Sequence, residues 1–288
     1  MSGKLIVPLT KCMGRLFLMR HLGRLILVLV VWVPLLADNA RSGASFGPYQ
    51  LLLGAAVKGS AVDYALLTRD RSVLDAAVAS FNAPETLAES SWTRAERFAF
   101  WINAYNAFTI AAIVDRYPIH GSWLSLAPRN SIRQIDGVWT KLKWNAAGRE
   151  VTLDEIEHGI LRPTFKDPRV HFAINCASKS CPPIRGEPYL PDHLDAQLDD
   201  AARRYLASRF GLQISEGRLK VSSIFKWYGD DFIARFAPTI DQQRPDRDRA
   251  ILGVIAAYGP PEAAALARSG GARIQFLSYD WSLNDRER

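Results

Sequence analysis

Phe98-Ala-Phe-Trp-Ile-Asn-Ala-Tyr-Asn-Ala-Phe-Thr-Ile-Ala-Ala-Ile-Val114 is apolar on every side when wound as an α-helix. A helix without a polar face is covered by protein all round. The capping box Thr93-Arg-Ala-Glu96 begins it, and Pro118 ends it. Its two amides, Asn103 and Asn106, share one face, and a buried unpaired amide would cost about 1–3 kcal/mol. We therefore predict a long central helix whose amides are hydrogen-bonded in the interior.

A second decisive stretch is Arg169-Val-His-Phe-Ala-Ile-Asn-Cys-Ala-Ser-Lys-Ser-Cys-Pro-Pro183. Its apolar start predicts a short buried strand, and its polar second half predicts a loop that begins at Cys176. On a strand, His171 and Asn175 share one face. Catalytic groups favour loops held by a rigid element. We expect this strand to face the two amides of the central helix.

The remaining patterns predict a mixture of helices and strands. They indicate helical segments in 46–82, a hairpin at 136–152, a helix at 153–162 after the capping box Thr152-Leu-Asp-Glu155, a helix capped by Asp192 that ends near Gly211, a hairpin at 212–221, helices at 223–236 and 249–258, and a last strand at 273–281. Helices and strands do not alternate strictly. This order predicts a single α+β domain at 45–288, with a mixed or antiparallel sheet around the long buried helix and amphipathic helices flanking it.

The N-terminal residues 1–44 have the pattern of a signal peptide or an N-terminal membrane anchor. The run from Leu25 to Ala37 has 13 uncharged residues behind a basic segment, which is short for a membrane span. Cleavage could follow Ala37 or Ala44, and translation could start at Met1, Met13 or Met19. We predict export to the periplasm or cell exterior, either as a free protein or held to the membrane by an uncleaved segment.

The charge balance argues against a nucleic-acid partner. Residues 1–40 carry a net +4, which leaves +3 of the overall +7 for the rest of the chain. Gly-rich phosphate loops and a Gly-x-Ser-x-Gly elbow are absent from the sequence, and no cofactor is predicted. The expected partner is a small molecule, a peptide or an envelope component, with membrane contact only through the N-terminal segment.

Two cysteines remain when Cys12 is assigned to the leader. Cys176 and Cys181 have C-x4-C spacing, and a disulfide between them would stabilise the loop by roughly 2 kcal/mol. Zinc binding by these thiols and two histidines has less support, because no second Cys or His pair follows at the distance of a zinc finger. No metal site is predicted.

Cys176 also has the neighbours that a nucleophilic cysteine needs. His171 or His158 can supply a base. His171 could also be a metal ligand or a buried structural histidine, and the structural role is the commoner one on so apolar a strand. The amides of Asn103 and Asn106 can orient the base or stabilise an oxyanion. The alternative is a small core thiol paired with the second cysteine.

Glu157 lies within the apolar stripe of the predicted 153–162 helix. It is either a catalytic carboxylate or half of a buried ion pair, and the ion pair is the commoner arrangement. Its candidate partners are Arg162, Arg169 and Arg185. Asp154 and His158 are four residues apart and form an ordinary surface pair on a helix.

Three functions fit these residues. The first is a thiol-dependent hydrolase or acyl-transfer enzyme of the cell envelope, with Cys176 as nucleophile. The second is a non-catalytic binding or scaffold domain locked by a Cys176–Cys181 disulfide. The third is a redox pair, which ranks last because C-x4-C is wider than the usual dithiol motif.

Four motifs occur in order along the chain. They are Phe-Trp-Ile-Asn-Ala-Tyr-Asn-Ala (100–107), Thr-Leu-Asp-Glu-Ile-Glu-His-Gly-Ile-Leu-Arg (152–162), His-Phe-Ala-Ile-Asn-Cys-Ala-Ser-Lys-Ser-Cys-Pro (171–182) and Tyr-Asp-Trp-Ser-Leu-Asn (279–284). Together they resemble the family catalogued as domain of unknown function 547, over about residues 85–284. The resemblance implies no activity, so the chemistry has to be argued from the residues.

Overall fold

The computed structural model describes residues 45–240 and 243–286, so the predicted leader lies outside the described residues. In the described part, no helix is long and apolar enough to cross a membrane. The α-helices and the π-helix of this part, in chain order, are α1 (Gly47–Ala56), α2 (Tyr64–Arg69), α3 (Ser72–Ser80), α4 (Arg94–Val114), a π-helix (Glu155–Phe165), α5 (Leu194–Ala207), α6 (Ile224–Tyr228), α7 (Ile233–Phe236), α8 (Asp246–Tyr258) and α9 (Pro261–Arg268).

The strands of the described residues form small sheets. They are β1 (Val57–Lys58), β2 (Ala61–Val62), β3 (Trp144–Ala146), β4 (Arg149–Val151), β5 (Leu212–Ser215), β6 (Arg218–Val221) and β7 (Arg273–Phe276). β1–β2, β3–β4 and β5–β6 are antiparallel pairs, and β7 runs parallel to β6 with Ile274 opposite Leu219. The structure is about 54% helix and 10% strand, which confirms the predicted α+β class.

α4 is the central helix that the sequence predicts. Both bonds of its capping box are present: the Glu96 N–H donates to the Thr93 hydroxyl at 3.2 Å, and the Thr93 N–H donates to the Glu96 carboxylate at 2.6 Å. Every residue from Phe98 to Val114 is buried. α4 packs against α2, α3 and the π-helix. Helices therefore form most of its surroundings, where the sequence analysis expected a sheet.

A second hydrophobic cluster forms around α5, α8 and the three-stranded sheet. Phe172 belongs to it, with its ring centroid 5.9 Å from that of Tyr205 and 5.6 Å from that of Phe232. The next residues, Ala173 and Ile174, belong instead to the cluster around α4. The chain thus crosses between the two cores immediately before the loop that carries both cysteines (residues 176–183, the cysteine loop).

The predicted strand at 170–174 is wrong. Pro168–Phe172 is a 3₁₀-helix, and the N–H groups of Ala173 and Ile174 both donate to the Val170 carbonyl. The Asp167 carboxylate caps the turn by accepting from the Arg169 N–H at 3.0 Å. Because these backbone groups are satisfied locally, the apolar run needs no neighbouring strand. His171 and Asn175 therefore do not share a strand face.

The predicted α-helix at 153–162 is a π-helix that extends to Phe165. Its capping box is present, with the Glu155 N–H donating to the Thr152 hydroxyl at 3.1 Å and the Thr152 N–H to the Glu155 carboxylate at 2.8 Å. Pro163 lies inside the helix and cannot donate a backbone hydrogen bond. π-Helical turns are rare and occur often at functional sites.

Other boundaries also differ from the prediction. The predicted helix at 223–236 is divided into α6 and α7 by a 3₁₀ turn, Gly229–Phe232. Only the last part of the 136–152 hairpin is paired as β3 and β4. Asp192 lies in a 3₁₀ turn, Pro191–His193, and does not cap α5 with its side chain. β7 ends at Phe276, so the chain after it is free to reach the cysteine loop.

Candidate functional site

Cys176 opens onto a pocket with aromatic walls. The lining includes Tyr105, Trp139, Trp227, Tyr228, Tyr279 and Trp281, together with the polar groups of Glu157, His171 and Cys181. The pocket encloses about 110 Å³. This volume is well below the roughly 300–1,000 Å³ typical of whole-ligand sites. The pocket therefore fits one small group of a larger ligand.

Asn175 and Asn106 fix the backbone of the cysteine loop. The Asn175 side chain accepts from the Ala177 N–H at 2.8 Å and donates to the Pro182 carbonyl at 2.7 Å. Asn106 on α4 donates to the Ala173 carbonyl at 3.0 Å and accepts from the Asn175 N–H at 2.8 Å. Ala177 has a φ of 57°, a left-handed conformation that residues other than glycine seldom adopt. These bonds hold that conformation in place.

The C-terminal motif pairs with the other side of the loop. The Ser180 hydroxyl accepts from the Asp280 N–H at 2.9 Å, and the Lys179 N–H donates to the Ser282 carbonyl at 2.8 Å. The Asn284 N–H donates to the Ala177 carbonyl at 3.0 Å. This pairing brings Tyr279, Trp281 and their neighbours to the pocket from 100 residues along the chain.

Cys176 and Cys181 are both free thiols, and Cys176 is partly exposed whereas Cys181 is buried. Cys176 Sγ lies 3.2 Å from the Ser178 hydroxyl and 3.4 Å from the Tyr279 hydroxyl. Hydrogen bonding by the Cys181 thiol, helped by these two hydroxyls and opposed by burial, lowers the pKa of Cys176 to about 7. Burial raises the pKa of Cys181 well above its usual range. When the pair loses a proton, Cys176 therefore becomes the thiolate and Cys181 stays protonated.

His171 is buried in the pocket wall and is held by Asp231. Its Nε2 lies 2.7 Å from the Asp231 carboxylate, and its ring stacks on Tyr228 with centroids 4.1 Å apart. Arg162 donates two bonds to the same carboxylate, at 2.7 and 2.9 Å. Burial alone would raise the pKa of Asp231, but the bonds from His171 and Arg162 lower it well below its usual range. A charged Asp231 thus orients His171, which lines the same pocket as Cys176 without a hydrogen bond to it.

His158 does not line the pocket. Its side chain is 39% exposed, its Nδ1 lies 2.8 Å from Arg162, and its Nε2 lies 3.7 Å from Asp154. The surface pair between Asp154 and His158 is therefore present. The alternative that His158 serves as the base of Cys176 finds no support in this geometry.

Glu157 is a buried carboxylate in the pocket, and the predicted ion pair with an arginine is wrong. The Tyr105 hydroxyl donates to it at 3.2 Å, and its carboxylate lies 4.0 Å from His158 Nε2. Burial, and then the neighbouring Glu157, raise the pKa of Tyr228 above its usual range. The three candidate arginines instead pair as follows: Arg162 with Asp231, Arg169 with Asp167, Asp195 and Asp199, and Arg185 with Glu187 and Asp200.

Asn103 and Asn106 are buried and hydrogen-bonded, as the sequence predicts. Asn106 binds the segment that follows His171, as described above, whereas Asn103 binds both backbone groups of Tyr189, at 2.8 and 2.9 Å. Neither lines the pocket. Because main-chain groups already occupy both amides, Asn106 positions the start of the cysteine loop and Asn103 positions the segment at Tyr189. Neither amide is placed to stabilise an oxyanion.

Tyr279, Ser178 and Asp231 belong to the site but are not among the residues predicted for it. Tyr279 begins the last motif, and Ser178 follows Cys176 by two residues. Asp231 is 60 residues from His171 along the chain. Among the described residues, no group of three His, Cys, Asp or Glu side chains could hold a metal ion.

A family model described as "Protein of unknown function, DUF547" matches residues 89–206. These residues are similar to that family, in agreement with the resemblance of the three motifs that lie within them. The matched segment includes α4, the π-helix and the cysteine loop, but it ends before Asp231 and Tyr279. No curated protein and no solved structure matches the chain. The family supplies no activity, so the function rests on the geometry of the site.

Proposed function

We propose that the protein is a thiol-dependent hydrolase or acyl-transfer enzyme of the cell envelope, with Cys176 as its nucleophile. One observation carries this proposal: a partly exposed thiol, with a pKa lowered to about 7, opens onto a pocket that also contains a His–Asp pair. Attack by sulfur requires the thiolate, and a thiol with this pKa is about half ionised at neutral pH. The assignment to the envelope rests on the basic, apolar leader.

The reaction would proceed through a thioester. The Cys176 thiolate attacks a carbonyl carbon, a C–S bond forms, and the bond to the leaving group breaks as that group takes a proton. Water or another acceptor then attacks the thioester, loses its proton and releases the thiolate. We assign these proton transfers to His171, which lines the same pocket and whose ring Asp231 orients. Catalytic hydrogen bonds are often long before substrate binds, so the absence of a resting Cys176–His171 bond is compatible with this role.

The pocket limits the acyl group. Its small volume and its tryptophan and tyrosine walls suit a short apolar or flat group, and the rest of the substrate would remain outside. Glu157 lies in the same pocket and accepts a hydrogen bond from Tyr105. A buried carboxylate there favours substrates with a hydrogen-bond donor near the acyl group.

The test is acylation by p-nitrophenyl acetate. We expect a burst of p-nitrophenol and an acetyl group on the peptide that contains Cys176, with both lost in Cys176→Ser. Cys181→Ser, which keeps the nucleophile, should still be acetylated. Equal labelling of the wild type and Cys176→Ser would refute the proposal.

A second candidate, thiol–disulfide exchange, is favoured by the contrast between the two thiols. A partly exposed thiolate beside a buried, protonated thiol has the arrangement of attacking and resolving cysteines. Oxidised glutathione would then form a mixed disulfide on Cys176, and Cys181 would displace glutathione to leave an intramolecular disulfide. In Cys181→Ser the mixed disulfide should persist. The same intramolecular disulfide, if present in the isolated protein, would favour the binding-domain alternative.

A further inference from the structure

The loop from 121 to 130 exposes an unusual amount of apolar surface. The side chains of Trp123, Leu124 and Leu126 are 80%, 75% and 104% exposed, and they lie within four consecutive positions. Single exposed apolar residues are ordinary, but a contiguous cluster marks an interaction site.

The backbone of this loop is held so that the apolar side chains stay outside. Gln134 donates to the carbonyls of Ser122, Ala127 and Pro128 at 3.1–3.3 Å and accepts from the Ser122 N–H at 3.2 Å. The two ends of the loop are joined by a hydrogen bond from the Gly121 N–H to the Arg129 carbonyl at 2.9 Å. The polar backbone is therefore turned inward, and packing the apolar side chains inward would break these bonds.

Positive charge flanks the apolar cluster along the chain. Between Asp115 and Asp136 the chain has no acidic residue, but it has exposed cationic side chains at Arg116, Arg129 and Arg133. Apolar side chains with a tryptophan among them, flanked by arginines, combine the two attractions that hold a protein to an anionic lipid surface.

We propose that the 121–130 loop inserts Trp123, Leu124 and Leu126 into the interface of an anionic membrane while the neighbouring arginines contact lipid headgroups. The Arg133 guanidinium lies 5.0 Å from the ring centroid of Trp281, which lines the Cys176 pocket. The arginine side of the docked face therefore adjoins one wall of the pocket. The membrane contact itself does not depend on the proposed enzyme activity.

The experiment uses the full chain and a readout local to the loop, because the apolar run at 25–37 can itself bind lipid. Vesicles of phosphatidylcholine with phosphatidylglycerol, carrying brominated acyl chains, should quench tryptophan fluorescence more in the wild type than in Trp123→Phe. The difference reports Trp123 alone, since Trp32 and the other tryptophans are common to both chains.

The double variant Leu124→Ser/Leu126→Ser should lose at least half of the quenching of Trp123. Leu51→Ser/Leu87→Ser, which changes two other exposed leucines (67% and 61%), is the matched control and should lose none. Equal quenching of the wild type and Trp123→Phe would overturn the proposal. Equal quenching by vesicles of phosphatidylcholine alone would overturn the claim that the loop binds an anionic surface. Self-association of the wild type that is lost in the double leucine variant would show instead that the loop binds a second copy of the chain.

Discussion

The main-chain N–H of Cys176 donates to Cys181 Sγ at 2.8 Å, which joins the two cysteines through backbone and side chain. An N–H bond to Cys181 Sγ leaves the Cys181 proton free to point at Cys176 Sγ. This arrangement favours one protonated thiol and one thiolate over two equivalent thiols. The reactivity of Cys176 should therefore depend on Cys181.

The alkylation of Cys176 by iodoacetamide should rise with pH through a midpoint near 7, because its pKa is lowered from 9.0 to about 7 and the thiolate is the reactive form. In Cys181→Ala the midpoint should move up toward 9.0, since the hydrogen bond from the Cys181 thiol, the largest contribution to the lowered pKa of Cys176, is lost. Mass spectrometry of the peptide that contains Cys176 separates this reaction from that of Cys12. An unchanged midpoint in Cys181→Ala would contradict the assigned coupling.

Tyr279→Phe should also raise this midpoint, by removing a hydroxyl 3.4 Å from Cys176 Sγ while leaving the ring in the pocket wall. Tyr258→Phe is the matched control, because its hydroxyl binds Asp199 and its ring does not line the pocket. At pH 7 we expect slower alkylation of Cys176 in Tyr279→Phe but not in Tyr258→Phe, as measured by mass spectrometry of the same peptide.

Asp231→Asn should slow p-nitrophenyl acetate turnover by about 100-fold or more, the lower range for loss of a positioned acid–base group. The alkylation rate of Cys176 should stay nearly unchanged, because Asp231 positions His171 and does not contact the sulfur. The control is Asp230→Asn at the adjacent residue, which pairs with Arg247. If both variants turn over at the wild-type rate, His171 has no catalytic role.

Asn106→Leu should lower the free energy of unfolding by about 2–6 kcal/mol or prevent folding. It would leave the Ala173 carbonyl and the Asn175 N–H buried without a partner, at about 1–3 kcal/mol each. Thr109→Val, one turn later on α4, is the control. The Thr109 hydroxyl is buried and has no hydrogen-bond partner among the described residues, so its removal should be neutral or stabilising. Urea denaturation of both variants measures the difference.

The location of the protein is tested by removing the leader. Cells that express the chain without residues 1–44 should retain it in the cytoplasm, whereas the full chain should be recovered from the envelope or the medium. Leu29→Arg, which interrupts the apolar run without shortening the chain, should also impair export. Equal export of all three forms would show that the leader is not a targeting signal.

Part of the fold could be predicted because its causes lie within a few residues along the chain. The all-round apolar pattern of Phe98–Val114 and the capping box at Thr93 define α4 by local side-chain and backbone contacts. The β5–β6 hairpin follows similarly from two alternating runs joined by a tight turn. The burial of Asn103 and Asn106 follows directly from a helix that has no solvent-facing side.

The tertiary structure decided what depends on distant residues. Whether the apolar run before Cys176 forms a strand or a 3₁₀-helix could not be predicted, since short apolar runs fit either structure. Arg169 in this segment forms ion pairs with Asp195 and Asp199 of α5, which lie about 30 residues further along the chain. The pairing of His171 with Asp231 spans 60 residues, and the contact of Cys176 with Tyr279 spans 103. The sequence by itself thus determined the helix that supports the cysteine loop. Only the packing of two cores decided which groups surround the sulfur, because hydrogen bonds over such separations form after the chain has been brought together.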